Sequence, residues 1–407
     1  MIVFSSEWAG ADTPGSPDPI LAQVPALDEG QLLARIDQDP RIARIEADTD
    51  SARVDVAAAR VRPDPSLSFE REEVFSGGGL ATNYVRLSIP LEISGQRGAR
   101  VEAASAEVRA VIAASEGARF AIMTEALLAF RGAAYERARV ELLRAERAAL
   151  VSAVEVVRKR TNAGAASGYD VQRIEIELAA YDDQIAAALT DLSTARVELG
   201  VLVGEPAVDA TSSLDIPADP PTLDTLLADV VAKHPHYRAA SERLGGAASL
   251  SKAANRSWIP DLALTGGFVT EEIDPATSAR GYTAGLALTI PVFDRGQEDR
   301  AKATAQKRAA AAERAHAARS VPAAVRARHQ VLVQTIARSR AVQKDQLARL
   351  AQLLRSAETA YREGSGNIVE LLDAYSTARH ARLRDLELRR DARLAEVELW
   401  QALGRRP

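Results

Sequence analysis

The side chains able to do chemistry are few, and their spacing limits what they could do. There are five histidines, His234, His236, His316, His329 and His380. His234-Pro235-His236 offers two imidazoles to a metal ion, but no carboxylate cluster stands near it in sequence. A solvated break between helices explains the same tripeptide, and no metal site is assigned. No Ser/His/Asp ordering, phosphate loop or dinucleotide fingerprint is present. Gly77-Gly78-Gly79 lacks the Lys-Ser/Thr pair that a phosphate cradle needs, so it reads as a turn. The expectation is a protein that is not an enzyme and holds no cofactor.

Acids beside two glycines are more informative. After Gly364 the chain reads Asn367-Ile368-Val369-Glu370-Leu371-Leu372-Asp373-Ala374. Glu370 and Asp373 are three apart and share one face of a helix start. After Gly164, Asp170 occupies the place of Glu370. Two readings stay open. The helix macrodipole favours acids in a first turn. In a symmetric oligomer the same acids would form rings at a pore mouth that select cations or hold a gate.

The elements that must position these residues come from a duplication with a period of about 200 residues. Leu87-Ser88-Ile89-Pro90-Leu91 recurs as Leu288-Thr289-Ile290-Pro291-Val292, and Gly95-Gln96 as Gly296-Gln297. Pro40 and Pro65 recur as Pro235 and Pro260, Gly164 as Gly364, and Leu199 with Gly204 as Leu399 with Gly404. Each copy reads helix, strand, strand, long helix, helix. The first helices are expected near 28–62 and 222–257, with Asp28 and Thr222 as N-caps. The first copy spans 28–205, 206–221 is a linker, and the second copy spans 222–405.

Four segments alternate with period two, as half-buried strands do. They are 66–75, 84–93, 261–272 and 281–293. Val85, Leu87, Ile89, Leu91 and Ile93 share one face of the second; Leu262, Leu264 and Phe268 share one face of the third. Tyr282, Leu286, Leu288, Ile290 and Val292 share one face of the fourth. In the first, Leu67, Phe69 and Phe75 are interrupted by Arg71 and Glu73. Each is as long as a tilted strand of a membrane barrel. Four such strands alone would leave open edges, so they need closure or a partner chain.

The helical hairpins are expected over 97–203 and 296–403. The stretch 97–161 has no proline and would reach about 100 Å as one helix. Pro322 is the expected kink in the second copy. Apolar residues at three- and four-residue spacing, such as Leu347, Leu350, Leu354 and Tyr361, suit coiled-coil-like packing.

Composition agrees. The 407 residues are 47% hydrophobic but only 4% aromatic, which fits Ala- and Leu-rich helices. The net charge of −5 gives no reason to expect nucleic acid. No run of 18 apolar residues would make a transmembrane helix. Zero Cys excludes disulfides, thiolate zinc sites, thiol catalysis and a lipid-modified Cys. Residues 1–27 show no signal-peptide pattern and read as an extended arm.

In this order the motifs resemble the TolC-like outer membrane efflux protein family. The resemblance rests on Pro65-Ser66-Leu67-Ser68, on Leu87-Ser88-Ile89-Pro90-Leu91 with Gly95-Gln96-Arg97, and on Ile290-Pro291-Val292-Phe293 with Gly296-Gln297. It continues through Tyr361-Arg362-Glu363-Gly364 and Ile368 to Ala374, covering about 28–405. Phe69-Glu70-Arg71-Glu72 with Ile89 to Arg97 is similar to the heavy-metal (CzcC- or CusC-like) branch. The resemblance implies a homotrimer in the outer membrane of a Gram-negative bacterium. Each chain would give four strands to a 12-stranded barrel, and the helices would build a periplasmic tunnel. The channel would be passive, would meet a periplasmic adaptor and an inner-membrane RND-type transporter, and would export heavy-metal cations. Its entrance would be gated at Asp170, Tyr361, Glu370 and Asp373, with the adaptor docking at the turns of Gly164 and Gly364. Where some members carry a basic gate residue, this chain has Asn367. A periplasmic adaptor and a cytosolic coiled-coil scaffold are the alternatives. Neither explains four strands at matched places in a tandem repeat.

Overall fold

The computed structural model describes residues 24–74, 81–274 and 277–405. Residues 1–23 of the expected arm, Phe75, the turn at Ser76-Gly77-Gly78-Gly79 and Pro275-Ala276 lie outside these. In chain order the elements are β1 (Ala26–Leu27), α1 (Glu29–Ile36), α2 (Pro40–Arg60), β2 (Ser66–Glu73), β3 (Ala81–Leu91), α3 (Gln96–Asn162) and α4 (Gly168–Val203). There follow β4 (Asp209–Ala210), α5 (Leu223–Leu227), α6 (Val230–Lys233), α7 (Pro235–Ala254), β5 (Asp261–Asp274) and β6 (Thr277–Thr289). The chain ends with α8 (Gln297–Ala341), a π-helical turn (Val342–Leu347), α9 (Ala348–Glu363) and α10 (Ile368–Leu403). The protein is mainly helical with a small sheet. No described helix is long and apolar enough to cross a membrane.

Two compact units form, and each draws on both sequence copies. One contains residues up to Asp39, Ile122–Pro220 and Gln330–Glu398; the other contains Pro40–Ala121, Pro221–His329 and the chain from Leu399.

In the first unit, Asp28 caps α1 through a reciprocal box. Its Oδ1 accepts from Gln31 N at 2.8 Å, and Gln31 Oε1 accepts from Asp28 N at 3.0 Å. The helix expected over 28–62 is broken: α1 stops at Ile36 and Pro40 starts α2. Proline has no N–H to give and its fixed φ suits a first helical position. The expected linker 206–221 is not featureless. Its β4 pairs in parallel with β1, Ala26 opposite Asp209 and Leu27 opposite Ala210. Asp209 is buried and held by Arg196 at 2.9 Å and Arg137 at 3.2 Å. A buried carboxylate needs such partners, because desolvation otherwise outweighs the gain from folding.

The second unit contains the sheet. Its order is β2-β3-β5-β6, antiparallel throughout. The register aligns Phe69, Val85, Phe268 and Tyr282 in one row, and Leu67 with Leu87 in the next. Ile89, Leu264 and Leu286 form a third row, and Leu91, Leu262 and Leu288 a fourth. All these rows lie on one face. Phe268 is 73% exposed and Tyr282 84% exposed, so the face is bare. The opposite face carries Ser68, Arg86, Gly267 and Thr283 in one row and Ser88, Thr265 and Gly285 in another. The apolar face ends at a polar row of Arg71, Asn83, Thr270 and Arg280, where Arg71 pairs with Glu73 and Glu272. Strand bounds shift from expectation: β3 begins at Ala81 and ends at Leu91, before Ile93, and β6 ends at Thr289, before Ile290 and Val292. Pro90 is tolerated in β3 because β2 pairing stops at Ser66–Ser88.

The helices of this unit pack through small residues. Ala106, Ala110, Ala113, Ala239, Ala240, Ala303 and Ala317 are buried. Ion pairs span their rims, with Arg109 to Glu242 at 2.7 Å and Arg238 to Glu116 at 2.5 Å. Thr222 caps α5, but the helix expected over 222–257 is three short helices. α8 runs through Pro322 as α-helix, and the departure from α geometry falls instead at Val342–Leu347. Such π turns interrupt the hydrogen-bond ladder without a proline.

His234 caps α7, its Nδ1 accepting from His236 N at 3.2 Å. That pair therefore forms a helix start. Among the described residues no group of three or more potential ligands could hold a metal. Burial first, then the charge of His236, holds the His234 pKa below its ordinary 6.5. The neutral ring is favoured in the folded state, so the stability it contributes is present above pH 6.5 and declines as pH falls below it. His234→Asn keeps an acceptor but cannot titrate. Helical melting curves at about pH 7.5 and about pH 5.5 should differ less for the variant than for the parent; an equal difference would exonerate His234.

Candidate functional site

The two helical turns of the first unit are built alike. Gly164 (φ 72°) and Gly364 (φ 80°) end α3 and α9 in the left-handed conformation, which a side chain would strain. Ala165 N donates to Arg160 O at 2.8 Å, and Ser365 N to Ala360 O at 3.0 Å. The return helices start on side-chain caps that the sequence reading did not single out. Ser167 Oγ donates to Asp170 Oδ1 at 2.8 Å. Asn367 Oδ1 accepts from Glu370 N at 3.0 Å, and Asn367 Nδ2 donates to Glu370 Oε1 at 3.0 Å.

Tyr361 joins the turns. Its ring is 2% exposed and packs in a cluster with Leu150, Val154, Val157, Ile174, Ile368 and Leu371. Burying each such side chain contributes about 1.5–3 kcal/mol. The hydroxyl donates to Asp170 Oδ2 at 2.9 Å. Burial, and then the hydrogen bond and charge of Asp170, push the Tyr361 pKa up to about 12. It therefore remains a neutral donor, and Asp170 accepts. Arg160 reaches the same residue from α3. It donates to the Tyr361 carbonyl, donates to Ala165 O at 2.9 Å, and lies 4.7 Å from the Tyr361 ring centroid.

More polar links tie α10 to the other hairpin. Arg379 is 7% exposed; it donates to Glu177 at 3.0 Å and covers the Tyr181 ring at 4.6 Å. Arg382 pairs with the buried Glu146. Within its own hairpin, Tyr375 of α10 donates to Glu358 of α9 at 2.7 Å. Burial pushes the Tyr375 hydroxyl up strongly and the Tyr181 hydroxyl up to about 12. Beside Tyr361 a groove opens, floored by Ala149, Ser152 and Ala153 and walled by Glu358, Arg362 and Tyr375.

Of the four residues expected at a constriction, Asp170 and Tyr361 are thus in direct contact. Glu370 and Asp373 are exposed on α10, and Glu370 is engaged by Asn367 in a cap. The macrodipole reading of these acids and a pore-facing one are compatible, since a capping acid can also face water. Arg160, Arg379, Glu177, Arg382 and Glu146 were not singled out from sequence. Arg160 could have been: it stands four residues before Gly164, where the second copy has Ala360. The other four sit within helices without any local signal.

The arrangement has no nucleophile beside a base. It is a set of breakable polar links across two helical turns, in a chain that also carries a two-faced sheet. The sequence pattern of the family described as outer membrane efflux protein matches residues 34–205 and 226–405. The chain belongs to the outer membrane efflux protein family. It is similar to the cobalt-zinc-cadmium resistance protein CzcC of Cupriavidus metallidurans, 26% identical over 364 residues, covering 86% of this chain and 83% of that one. Its fold is that of CusC, with a TM-score of 0.77 at 17% identity, covering 93% and 92% of the two chains. VceC of Vibrio cholerae has the same fold, with a TM-score of 0.74 at 19% identity and coverage of 92% and 96%. The protein is therefore an efflux protein of the TolC-like type rather than an enzyme.

Tyr361→Phe keeps the buried ring and removes the bond to Asp170. A loss of about 1 kcal/mol in denaturant titration of the helical signal is expected. A loss under about 0.3 kcal/mol would show that the bond carries little.

Proposed function

We propose that this efflux protein is the outer membrane channel of a tripartite pump and works as a homotrimer. Three copies contribute four strands each to a 12-stranded barrel, and the helical hairpins form a periplasmic tunnel. The observation that carries this reading is the sheet: one face bare and apolar, the other mostly polar or small apart from Tyr84 and Val269, with β2 and β6 each paired on one side only among the described residues. In lipid, closure is the way to satisfy both outer edges. The apolar face then meets hydrocarbon and the small polar face lines water.

The cargo we infer is a heavy-metal cation, in line with the similarity to CzcC. The channel is passive, and energy enters at an inner-membrane RND-type transporter. A periplasmic adaptor docks at the turns of Gly164 and Gly364, where the groove floored by Ala149, Ser152 and Ala153 admits a close helix. Asp170, Tyr361, Glu370 and Asp373 gate the entrance. Opening separates the hairpin tips, and the exposed Glu370 and Asp373 form acidic rings in the trimer.

Three measurements test this. The detergent-solubilised protein should have the mass of three chains; a monomer at all concentrations would end the barrel reading. In planar bilayers, Glu370→Gln and Asp373→Asn should each weaken block by added divalent cations by several-fold while the trimer persists. Unchanged block in both would remove the acidic rings from the account. Deletion of the gene should sensitise growth to Zn, Co, Ni, Cu or Ag salts, and equal growth on all of them would contradict a metal cargo.

A further inference from the structure

We propose that Arg160 is the latch that keeps the two helical turns together, reaching from α3 to a carbonyl at each turn. The inference deepens the gating reading above and rests on it. Three contacts converge on this side chain. One guanidinium arm donates to the Tyr361 carbonyl, and the other donates to the Ala165 carbonyl at 2.9 Å. The cation also lies over the Tyr361 ring, 4.7 Å from its centroid. A side chain added at Gly364 would come within 3.2 Å of the same guanidinium, so the second turn is shaped closely around it.

The electrostatic logic is specific. The C-termini of α3 and α9 both carry partial negative charge on their last carbonyls. Two such ends side by side repel. Arg160 lies between them and donates to a carbonyl at each turn. A guanidinium can do this because its planar fork holds several donors in fixed directions, whereas an ammonium is a point charge. Tyr361 is thereby gripped at three places: ring face and carbonyl by Arg160, hydroxyl by Asp170. Asn367 cannot serve this purpose, since its amide is already committed to Glu370. Any separation of the turns must withdraw Arg160 from Tyr361 or pull it out of its own turn. The latch is a positioning device: it touches no cargo and sets how readily the tips part.

The test is single-channel conductance of the full-length trimer in planar bilayers, with Arg160→Ala, Arg160→Lys and Tyr361→Phe. Arg160→Ala should raise conductance several-fold, or raise the open fraction by a similar factor, with the trimer mass unchanged. Arg160→Lys keeps the charge but loses the fork, and should fall between parent and Arg160→Ala. A merely structural role would lower the melting temperature without this graded conductance. Tyr361→Phe opening the channel while both Arg160 variants conduct like the parent would overturn the latch and leave the gate at Asp170–Tyr361. Parent-like conductance in all three would overturn the latch together with the gating reading. Should Arg160→Ala fail to assemble, the position of Arg160→Lys relative to the parent decides the matter.

Discussion

Backbone amides and carbonyls taken into hydrocarbon must find partners within the protein, because lipid offers none. A four-stranded antiparallel sheet satisfies this along its three inner seams and fails along its two outer edges. Here the sheet also carries Leu67, Phe69, Val85, Leu87, Leu264, Phe268, Leu286 and Leu288 bare on one face. In water such a face is a liability for aggregation. In a closed barrel it is the surface that lipid wets. In the proposed barrel the polar row at Arg71, Asn83, Thr270 and Arg280 would mark where hydrocarbon gives way to headgroups.

The other unit obeys a different constraint. If the hairpins part and rejoin as the proposed gate requires, a thick apolar core cannot fuse them. The apolar cluster around Tyr361 is accompanied by groups that water can take over: Asp170 with Tyr361, Glu177 with Arg379, Glu146 with Arg382. Breaking a buried ion pair is costly unless both partners are solvated at once. Separation of the hairpins would do that, which makes such links suited to a two-state joint. A merely rigid bundle would be as well served by leucines.

Alternation in the strands was legible because a two-faced sheet writes its period directly into sequence. Asp28, Thr222, Gly164 and Gly364 were legible because caps and left-handed turns demand particular residues. Pro40 and Pro235 were equally readable as first helical positions, yet the continuous Ala-rich pattern around them suggested single helices. Pro322 misled in the opposite sense: a proline seemed the natural site of irregularity, while the π turn arose at Val342–Leu347, where no residue type announces it. Asp170 was legible as the counterpart of Glu370, but Tyr361 stood beside it only through the family resemblance, and their hydrogen bond was not read from the residues. Arg160 escaped notice because its partners are backbone carbonyls, one of them two hundred residues away in the chain, and a carbonyl has no sequence signature.

Fluorescence quenching by lipids brominated along their acyl chains tests the central claim most directly, because it asks which face of the sheet meets hydrocarbon. Tryptophan would be placed at Phe268 or at Thr265, on opposite faces of the same strand, and each variant read against the parent in reconstituted vesicles. Strong quenching at 268 and little at 265 is the result the account predicts. Equal quenching at both, or none at 268, would contradict it.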